Sequence, residues 1–327
     1  MTTAAAHFKA RTGLDLGPVA LGTAALAGLY RQVDPDTASG ALRTAWDLGV
    51  RSFDTAPHYG AGLAEQRLGR FLGDLPSDLR HQALVSTKVG RLLATADPAT
   101  PGAGAAEFAG EDGTKVRVRD YSRAGVRRSI HDSLVRTGLD HISVALVHDP
   151  DEHVDQAETE AIPELVRMRD EGLIRAVGAG MNDAAALARL VAACDLDCVL
   201  LAGRWTLLDR TAEHTLLPLC ERRQVAVLAG GVFNSGILAD PRPGAAFDYT
   251  PAPGPVLEAA LRMRDLCQDV GLPLTAAALQ HPYRHPAVAT VVVGARSSGE
   301  VRANLHDLAL PVTAELWERL DALAVRR

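Results

Sequence analysis

The chain has 327 residues, of which 47% are hydrophobic, and a formal net charge of −6 at pH 7. This length and apolar content allow a large buried core, and a single domain over residues 1–327 is expected. The charges are spread along the chain, which argues against a nucleic-acid-binding face and against a polybasic membrane patch. No apolar run reaches the roughly 18 residues that span a bilayer, and the N-terminal stretch lacks the apolar core of a secretory signal, so a cytoplasmic location is expected.

From the N-terminus onward, short β-rich runs alternate with helical patterns. Residues 18–28 carry a strand and a glycine-rich turn, and Asp36 is expected to cap a helix over residues 37–48. The next predicted elements are strands at 50–56, 83–87 and 142–147, with helices over 64–74 and 122–137. The long segment 91–120 is rich in Ala, Gly, Pro and Asp. It is predicted to be a loop over the active face.

The second half continues the alternation. Predicted strands are at 174–180, 198–202, 224–229 and 290–293, and predicted helices are at 162–171, 183–193, 213–223 and 256–270. A second Pro/Gly-rich loop is expected at 240–255. About eight strands separated by helices predict parallel βαβ connections, and hence an α/β fold of the (β/α)₈ TIM barrel type. A doubly wound fold is disfavoured because the run GTAALAG at 22–28 does not supply G-x-G-x-x-G.

No metal site is predicted. The cysteines form no ligand pattern with nearby histidines; they are Cys194, Cys198, Cys220 and Cys267. Buried free thiols in a reducing compartment are therefore expected. Asp149 and Asp151 are interpreted as loop caps rather than metal ligands, since no clustered partner is visible.

Polar side chains stand at the ends of three predicted strands. Asp54, Lys88 and His148 hold these positions, and Tyr59 follows Asp54 in the next loop. Because the carboxyl ends of barrel strands converge on one face, these groups are expected to share a site. An ammonium beside a phenol lowers its pKa from the ordinary value of about 10, so Lys88 would prepare Tyr59 for proton transfer. None of these residues carries a hydride, so redox chemistry here requires a nicotinamide cofactor.

These residues and their contexts, FDTAPHYG, STK and LVHDP, resemble the aldo-keto reductase family, and the resemblance covers residues 19–310. It implies a (β/α)₈ barrel, NAD or NADP bound at the carboxyl face, and a catalytic tetrad of Asp54, Tyr59, Lys88 and His148. The runs LLAGRWTLLD, GGVFNSGIL, AALQHP and VVVGARS are most similar to the branch of L-fucose (D-threo-aldose) 1-dehydrogenases, L-galactose dehydrogenases and pyridoxal 4-dehydrogenases. The resemblance thus implies oxidation of a sugar or pyridoxal hemiacetal to its lactone, with Tyr59 as base.

The resemblance also implies a cofactor site. Its residues in this chain are Asn182, Gly230, Gly231, Val232, Phe233, Asn234, Gly236, Gly294, Ala295, Arg296, Glu300 and Asn304. Where many members carry a glutamine for the carboxamide, this chain has Ala202, and Gly230 replaces the aromatic that stacks on the nicotinamide. Glu300 falls where NADPH-preferring members commonly carry arginine, and a carboxylate suits ribose hydroxyls but repels a 2′-phosphate. NAD is therefore the predicted preference, with Arg296 as the feature that would permit NADP.

His58 and Trp205 are the candidate substrate contacts, with His281 as a third, although packing explains each about equally well. The segments 91–120 and 240–255 are expected to determine the specificity for a small-molecule substrate. Three functions stay open beside the aldose dehydrogenase: a pyridoxal 4-dehydrogenase, a carbonyl reductase of specialised metabolism, and a non-catalytic nicotinamide-binding barrel. The sequence carries no mark of the oligomeric state.

Overall fold

The computed structural model describes residues 2–97 and 106–325. The strands of this part are β1 (Val19–Gly22), β2 (Ser52–Asp54), β3 (Leu84–Val89), β4 (Arg91–Thr95), β5 (Lys115–Arg119), β6 (Ile142–His148), β7 (Ile174–Met181), β8 (Cys198–Ala202), β9 (Ala226–Gly230), β10 (Ala246–Phe247), β11 (Thr250–Pro251) and β12 (Val288–Gly294). Eight of them are parallel neighbours in a closed barrel of order β1-β12-β9-β8-β7-β6-β3-β2. The other four form two antiparallel hairpins, β4 with β5 and β10 with β11.

A helix follows each barrel strand, so the predicted (β/α)₈ barrel is confirmed. The helices are α1 (Thr3–Thr12), α2 (Pro35–Asp47), α3 (Leu63–Gly73), α4 (Ser77–Arg80), α5 (Arg123–Thr137), α6 (Val154–Gln156), α7 (Ile162–Asp170), α8 (Ala184–Ala193), α9 (Leu216–Arg223), α10 (Gly254–Gln268), α11 (Leu274–Gln280), α12 (Ser298–Leu308) and α13 (Ala314–Asp321). Among these described helices, none is both long and apolar enough to cross a membrane.

Apolar patterning explains why the barrel forms. All seven residues of β6 are buried, which is the continuous apolar run expected of a strand covered on both faces. On the outside, α3 buries Leu68, Phe71 and Leu72 at helical spacing. These side chains join the main core between the strand layer and the helix layer. The barrel therefore presents its strand ends as a rigid rim.

Helix α1 closes the end of the barrel opposite the carboxyl ends of the strands. Its Phe8 is buried in one cluster with Val144, Leu146 and Leu228 from the barrel. The Ala4 amide donates to the Pro286 carbonyl at 3.3 Å, which attaches α1 to the segment before β12. The opposite end of the barrel is thus left for the site.

The cysteines are free thiols, as expected, and three of the four are buried. Burial raises the pKa of Cys220 to about 12 and, with smaller effects from charged neighbours, that of Cys194 to about 11. Thiols with such pKa values are poor nucleophiles. Across the described residues, no group of three His, Cys, Asp or Glu side chains is arranged to hold a metal ion.

Helix starts differ from the prediction by up to three residues, and two of the differences have a clear cause. Asp34, not Asp36, caps α2: its carboxylate accepts from the Thr37 amide at 2.9 Å, and Pro35 takes the first helical position, where no backbone donor is needed. Helix α9 begins at Leu216 rather than at residue 213. The residues before it are held in turns by tertiary hydrogen bonds, one of which runs from the Ala212 amide to the Arg204 carbonyl at 3.1 Å.

Both predicted loops contain a short hairpin, so the prediction of irregular structure was wrong for part of each. In the first, β4 and β5 pair from Arg91 opposite Arg119 to Thr95 opposite Lys115; residues 98–105 of this segment lie outside the described residues. The alternating run KVRVR is typical of a strand with one buried face, and it was the signal for this hairpin. In the second loop, β10 and β11 pair over two residues each.

A buried histidine should make the fold sensitive to acid. His281 is fully buried between Trp205 and Trp317, and neither ring nitrogen has a partner among the described residues. Burial, reinforced by Arg210 and Arg284, lowers the pKa of His281 to about 3. The unfolded chain takes up this proton near pH 6.5, so the stabilising effect of a neutral His281 is present above that pH and is lost as the pH falls toward 3.

We therefore expect His281→Phe to lose less stability on acidification than the unmodified protein. The difference should be on the order of 2–3 kcal/mol in the free energy of unfolding between pH 7 and pH 4.5. Urea unfolding at the two pH values measures it, with His131→Phe as control because 78% of the His131 side chain is exposed. An acid loss in His281→Phe equal to that of the unmodified protein would contradict the prediction.

Candidate active site

The structure brings the four candidate catalytic residues together at the carboxyl ends of three neighbouring strands. Asp54 is the last residue of β2, Lys88 lies one residue before the end of β3, and His148 is the last residue of β6. In the barrel, β3 lies between β2 and β6. Tyr59 follows β2 in a 3₁₀ turn over Tyr59–Gly62. Strand ends and one tight turn therefore build the site.

Asp54 and Lys88 form a buried ion pair. Lys88 Nζ donates to Asp54 Oδ2 at 2.7 Å and to the Thr55 carbonyl at 2.9 Å, and Ser86 Oγ donates to Asp54 Oδ1 at 2.7 Å. Both charges are thus paired and further hydrogen-bonded, which is the condition for burying ions. Ser86 was not among the predicted site residues. Its signal was its position two residues before Lys88, which places both side chains on one face of the strand.

The turn after β2 holds Tyr59 beside Lys88. Lys88 Nζ lies 4.6 Å from the centroid of the Tyr59 ring. Gly60 has a φ of 59°, and a Cβ on this residue would lie only 2.7 Å from the Ala27 carbonyl oxygen. Glycine is therefore required there for both backbone conformation and space. The PHYG sequence thus fixes the position of the phenol.

Burial and charge oppose each other at this pair. Burial raises the pKa of Tyr59 above its ordinary value, while the charge and hydrogen bond of Lys88 act to lower it. For Lys88, burial alone would lower the pKa, but Asp54 and Tyr59 outweigh burial and raise the pKa above its ordinary value. At neutral pH the lysine is charged and the phenol keeps its proton. The ammonium is placed to stabilise the phenolate when that proton leaves.

His148 completes the set. Its ring centroid lies 5.9 Å from that of Tyr59, and the two planes are 89° apart. Burial lowers the pKa of His148 well below its ordinary value, and the charges of Lys88 and Arg91 act in the same direction. The imidazole is therefore neutral at neutral pH and has one N–H to donate.

His58 and Phe108 cover these four residues. The His58 ring packs edge-on against Phe108 at 5.3 Å and against His148 at 5.6 Å, and the Phe108 ring lies 6.0 Å from that of Tyr59. Arg117 of β5 donates to the His58 carbonyl at 2.8 Å. Burial, reinforced by nearby cations, lowers the pKa of His58 to about 3. The described part of segment 91–120 thus lies over the site, as predicted, but Phe108 had no periodic signal to identify it.

The predicted cofactor residues stand on adjacent strand ends. Gly230 ends β9 and Gly294 ends β12, and these strands are neighbours in the barrel. Gly231 has a φ of 62°, and a Cβ there would lie 2.9 Å from the Gly203 amide nitrogen. Asn234 Nδ2 donates to the Gly203 carbonyl at 3.2 Å, while its buried Oδ1 has no partner in the described part of the chain. Exposed backbone and an unpaired amide oxygen fit a polar, extended ligand such as a nicotinamide dinucleotide.

Helix α12 begins directly beside these strand ends. Ser297 Oγ accepts from the Glu300 amide at 3.2 Å and caps the helix, and Glu300 Oε2 accepts from the Arg296 amide, just before the cap, at 2.8 Å. Asn304 Nδ2 donates to the Gly294 carbonyl at 3.4 Å. Arg296 Nε is enclosed and has no partner among the residues described. A helix N-terminus with a free guanidinium nitrogen suits a phosphate or a ribose.

Comparison with known proteins decides the family. The model of the Aldo/keto reductase family matches residues 18–325. The chain belongs to the aldo-keto reductase family. The resemblance predicted from the sequence is thereby confirmed, and so is the assignment to NAD(P)-dependent oxidoreductases.

Curated relatives of this aldo-keto reductase match over almost the whole chain. It is 39% identical to a pyridoxal 4-dehydrogenase of Microbacterium luteolum, covering 96% of this chain and 98% of the relative. It is 38% identical to a D-threo-aldose 1-dehydrogenase of a Pseudomonas species, covering 95% of each. An L-galactose dehydrogenase of Arabidopsis thaliana is 28% identical, with 93% and 88% covered.

Solved structures agree with the fold. The aldo-keto reductase AKR11C1 of Bacillus halodurans, in its holo form, has a TM-score of 0.75 at 25% identity, covering 96% of this chain and 94% of that chain. The glycerol dehydrogenase AKR11B4 of Gluconobacter oxydans has a TM-score of 0.72 at 25% identity, with 95% and 92% covered. Aldo-keto reductases use NAD(P)(H), and the holo form of the first neighbour agrees with a nicotinamide cofactor.

Trp205 is a packed side chain in this aldo-keto reductase. Its Nε1 donates to the Pro282 carbonyl at 3.0 Å, and its ring packs on His281 with centroids 4.7 Å apart. These contacts place both aromatic side chains among packed residues near the start of β12. They agree with the packing alternative for Trp205 and for His281, and a contact of either residue with substrate stays a prediction.

The other predicted cofactor residues occupy different environments. Asn182 is exposed after β7, and its carbonyl accepts from Arg204 Nε at 2.8 Å. Val232 and Ala295 are buried in the main core, so only their backbone can reach a ligand. Phe233 packs partly buried against that core, and Gly236 has a φ of 103°. Their contacts with a cofactor stay a prediction.

Proposed function

We propose that this aldo-keto reductase oxidises the hydroxyl of a cyclic hemiacetal to a lactone, with Tyr59 as general base. The observation that carries the proposal is the position of the Tyr59 ring, 4.6 Å from an ammonium that is held by Asp54 at 2.7 Å. A charge fixed in this way stabilises the phenolate, which is the form that accepts a proton. An intact pair of this kind argues against a barrel that only binds nicotinamide.

The names of the relatives support the hemiacetal class. They place the oxidised position at the formyl group on carbon 4 of pyridoxal and at carbon 1 of a D-threo-aldose. The pyridoxal aldehyde closes on its neighbouring hydroxymethyl group, and carbon 1 of an aldose closes on a ring hydroxyl, so each presents a cyclic hemiacetal. We propose a sugar as the substrate, because an L-galactose dehydrogenase is also a relative. Pyridoxal is the second candidate, because the Phe108 ring lies 6.0 Å from that of Tyr59 and suits a flat aromatic substrate.

Each residue of the tetrad has one task in the proposed step. The Tyr59 phenolate takes the proton of the hemiacetal hydroxyl, and the neutral His148 donates its N–H to the same oxygen. Lys88 stabilises the phenolate by charge, and Asp54 holds Lys88 in place. A bound nicotinamide would accept the hydride from the hemiacetal carbon, whose bond to the deprotonated oxygen then becomes the lactone carbonyl.

NAD⁺ is the proposed cofactor preference, and Glu300 is the residue on which it depends. Its carboxylate lies at the start of α12, where it accepts from the Arg296 amide. We expect the unmodified protein to have a higher kcat/KM with NAD⁺ than with NADP⁺. In Glu300→Gln the repulsion of a 2′-phosphate is removed, and kcat/KM with NADP⁺ should rise about tenfold. Glutamine keeps the capping hydrogen bond, so the helix start is preserved.

Glu315→Gln is the matched control for this test, because Glu315 also stands in the first turn of a helix, α13, outside the predicted cofactor residues. It should leave both values of kcat/KM unchanged. An NADP⁺ advantage in the unmodified protein would overturn the preference. No gain with NADP⁺ in Glu300→Gln would remove Glu300 as its cause.

The substrate proposal is tested by following NADH formation from NAD⁺ with L-fucose, D-arabinose, L-galactose and pyridoxal. Turnover with a sugar is the expected result, and the relative kcat/KM values rank the sugars. Turnover with pyridoxal alone would move the assignment to the second candidate. The protein is a reductase if it binds NADH and reduces carbonyl compounds but oxidises no substrate of the panel. Binding of NADH without turnover in either direction would indicate a non-catalytic role.

A further inference from the structure

The backbone directly after His148 has an unusual conformation. Asp149 has a φ of 39°, in the left-handed region that side-chain-bearing residues seldom adopt. Its amide still donates to the Gly180 carbonyl at 2.9 Å, so the turn remains attached to the neighbouring strand. Aspartate and asparagine tolerate this region better than most residues. The chain therefore reverses immediately after His148, and the Asp149 carboxylate comes back toward the imidazole.

Tyr121 holds this turn from behind. Its buried hydroxyl lies 2.7 Å from the His148 carbonyl oxygen and 2.8 Å from that of Asp149, and it donates to these two acceptors. The ring packs against Gly90, where a Cβ would lie 2.1 Å from a ring carbon. Gly90 thus provides the space that Tyr121 occupies. The positions of both carbonyl groups, and hence the orientation of the turn, are fixed by this contact.

The Asp149 carboxylate is shared between a cation and the imidazole. Arg91 Nη2 donates to Asp149 Oδ2 at 2.8 Å, and the same oxygen lies 3.4 Å from His148 Nε2. An ionised carboxylate only accepts hydrogen bonds, so it favours the tautomer in which Nε2 carries the hydrogen. His148 Nδ1 is enclosed without a partner in the described part of the chain. A hydrogen on Nδ1 would have no acceptor there, which favours the same tautomer.

Burial, together with the charges of nearby cations, keeps the imidazole neutral, so the choice of tautomer matters. Lys88 of β3 and Arg91 of β4 are the facing cations, and His58 and Tyr59 face the ring from the turn after β2. Asp151 and Arg119 of β5 are further from the imidazole, and Arg119 Nη2 lies 3.7 Å from the Asp151 carboxylate. Burial and the cations lower the pKa of His148 well below its ordinary value.

We propose that Asp149 is a positioning residue that selects the Nε2–H tautomer of His148, so that this N–H is the donor for the substrate oxygen. The inference deepens the proposed oxidation at the same site and rests on it. The separation of 3.4 Å is longer than the roughly 2.9 Å of a full N–H···O hydrogen bond. The Nε2 hydrogen is therefore oriented by the carboxylate without forming a full hydrogen bond, and a substrate oxygen accepts it on binding. Arg91 and the Tyr121 contact keep the carboxylate in place.

The tautomer is measured directly by ¹⁵N NMR of histidine-labelled protein without substrate, with the His148 signals identified by their absence in His148→Gln. We expect a protonated Nε2 and an unprotonated Nδ1 in the unmodified protein. In Asp149→Asn the carboxylate charge is lost and the side chain carries a donor as well as an acceptor, so the preference for Nε2–H weakens and the Nδ1–H tautomer should appear. Asp151→Asn is the matched control: its φ is 24°, the change in charge is the same, and its carboxylate faces Arg119 instead of His148. It should show the unmodified pattern.

Kinetics on the same variants completes the test. We expect kcat for hemiacetal oxidation to fall about tenfold or more in Asp149→Asn with little change in KM, and to stay near the unmodified value in Asp151→Asn. Equal melting temperatures for the two variants exclude a loss of fold. An Nδ1–H tautomer in the unmodified protein, or an unchanged tautomer in Asp149→Asn, would overturn the proposal. Because the NMR measurement needs no turnover, it stands even if the proposed function fails.

Discussion

Replacing Tyr59 by phenylalanine should abolish turnover while leaving the fold and cofactor binding intact. The substitution removes only the hydroxyl, and Phe keeps the ring contacts with His58, Phe108 and His148. General acid–base groups contribute about 100- to 10,000-fold, so kcat/KM for hemiacetal oxidation should fall within that range. NADH formation measures the loss, and fluorescence titration with NADH measures binding, which should be unchanged.

The dependence on pH gives this prediction a second readout. Burial raises the pKa of Tyr59, and the base must be the phenolate, so oxidation by the unmodified protein should accelerate as the pH rises above neutrality. The residual activity of Tyr59→Phe should show no such rise. Tyr283→Phe is the control, since Tyr283 lies in the segment before β12 and its hydroxyl oxygen accepts from the Val291 amide of that strand at 3.0 Å. Unchanged turnover in Tyr59→Phe would remove the phenol from the mechanism.

Replacing Lys88 by methionine should reduce both stability and activity. The substitution leaves Asp54 as a buried, uncompensated carboxylate, of which only 5% of the side chain is exposed. Breaking a buried ion pair in this way costs about 3–5 kcal/mol in the free energy of unfolding. Turnover should fall about 100-fold or more, because the phenolate loses its stabilising charge. Urea unfolding and NADH formation measure the two effects separately.

A double variant separates the structural role of Lys88 from its catalytic role. In Asp54→Asn with Lys88→Met no charge remains, and the asparagine oxygen still accepts from Ser86 Oγ. Most of the lost stability should return, since an uncharged pair replaces a broken ion pair. Turnover should stay as low as in Lys88→Met. Recovery of turnover together with stability would show that the ammonium acts only on the fold.

How far the sequence leads can be seen from the tetrad. Asp54, Lys88 and His148 could be predicted because each stands at the end of an apolar run, and the barrel rule places such ends on one face. Ser86 could have been found from the period of two along β3. The positions of Phe108 and of Asp149, the proposed tautomer-selecting residue, could not be predicted, because both depend on irregular backbone that distant residues hold in place. Gly28 is one such residue: its carbonyl accepts from the Ala109 amide at 3.0 Å.

Trp205 and Asp36 show what a local pattern leaves open. The direction of the Trp205 side chain is decided by the hydrogen bond to the Pro282 carbonyl, which no local pattern records. Asp36 and Asp34 are both good capping residues two positions apart. The carboxylate that reaches the free Thr37 amide is that of Asp34, because Pro35 already fits the first turn.

The sequence by itself determined the alternation of strands and helices, the eight-stranded barrel, the family and the choice of the four candidate catalytic residues. These follow from local periodicity and from motifs whose spacing is short. Only the tertiary structure decided which side chains surround the tetrad and in what state. The neutral forms of His58 and His148, the ion pair of Asp54 with Lys88 and the approach of Asp149 to His148 result from burial and from contacts between residues that are far apart in the chain. Burial and through-space distance have no signature in a linear pattern.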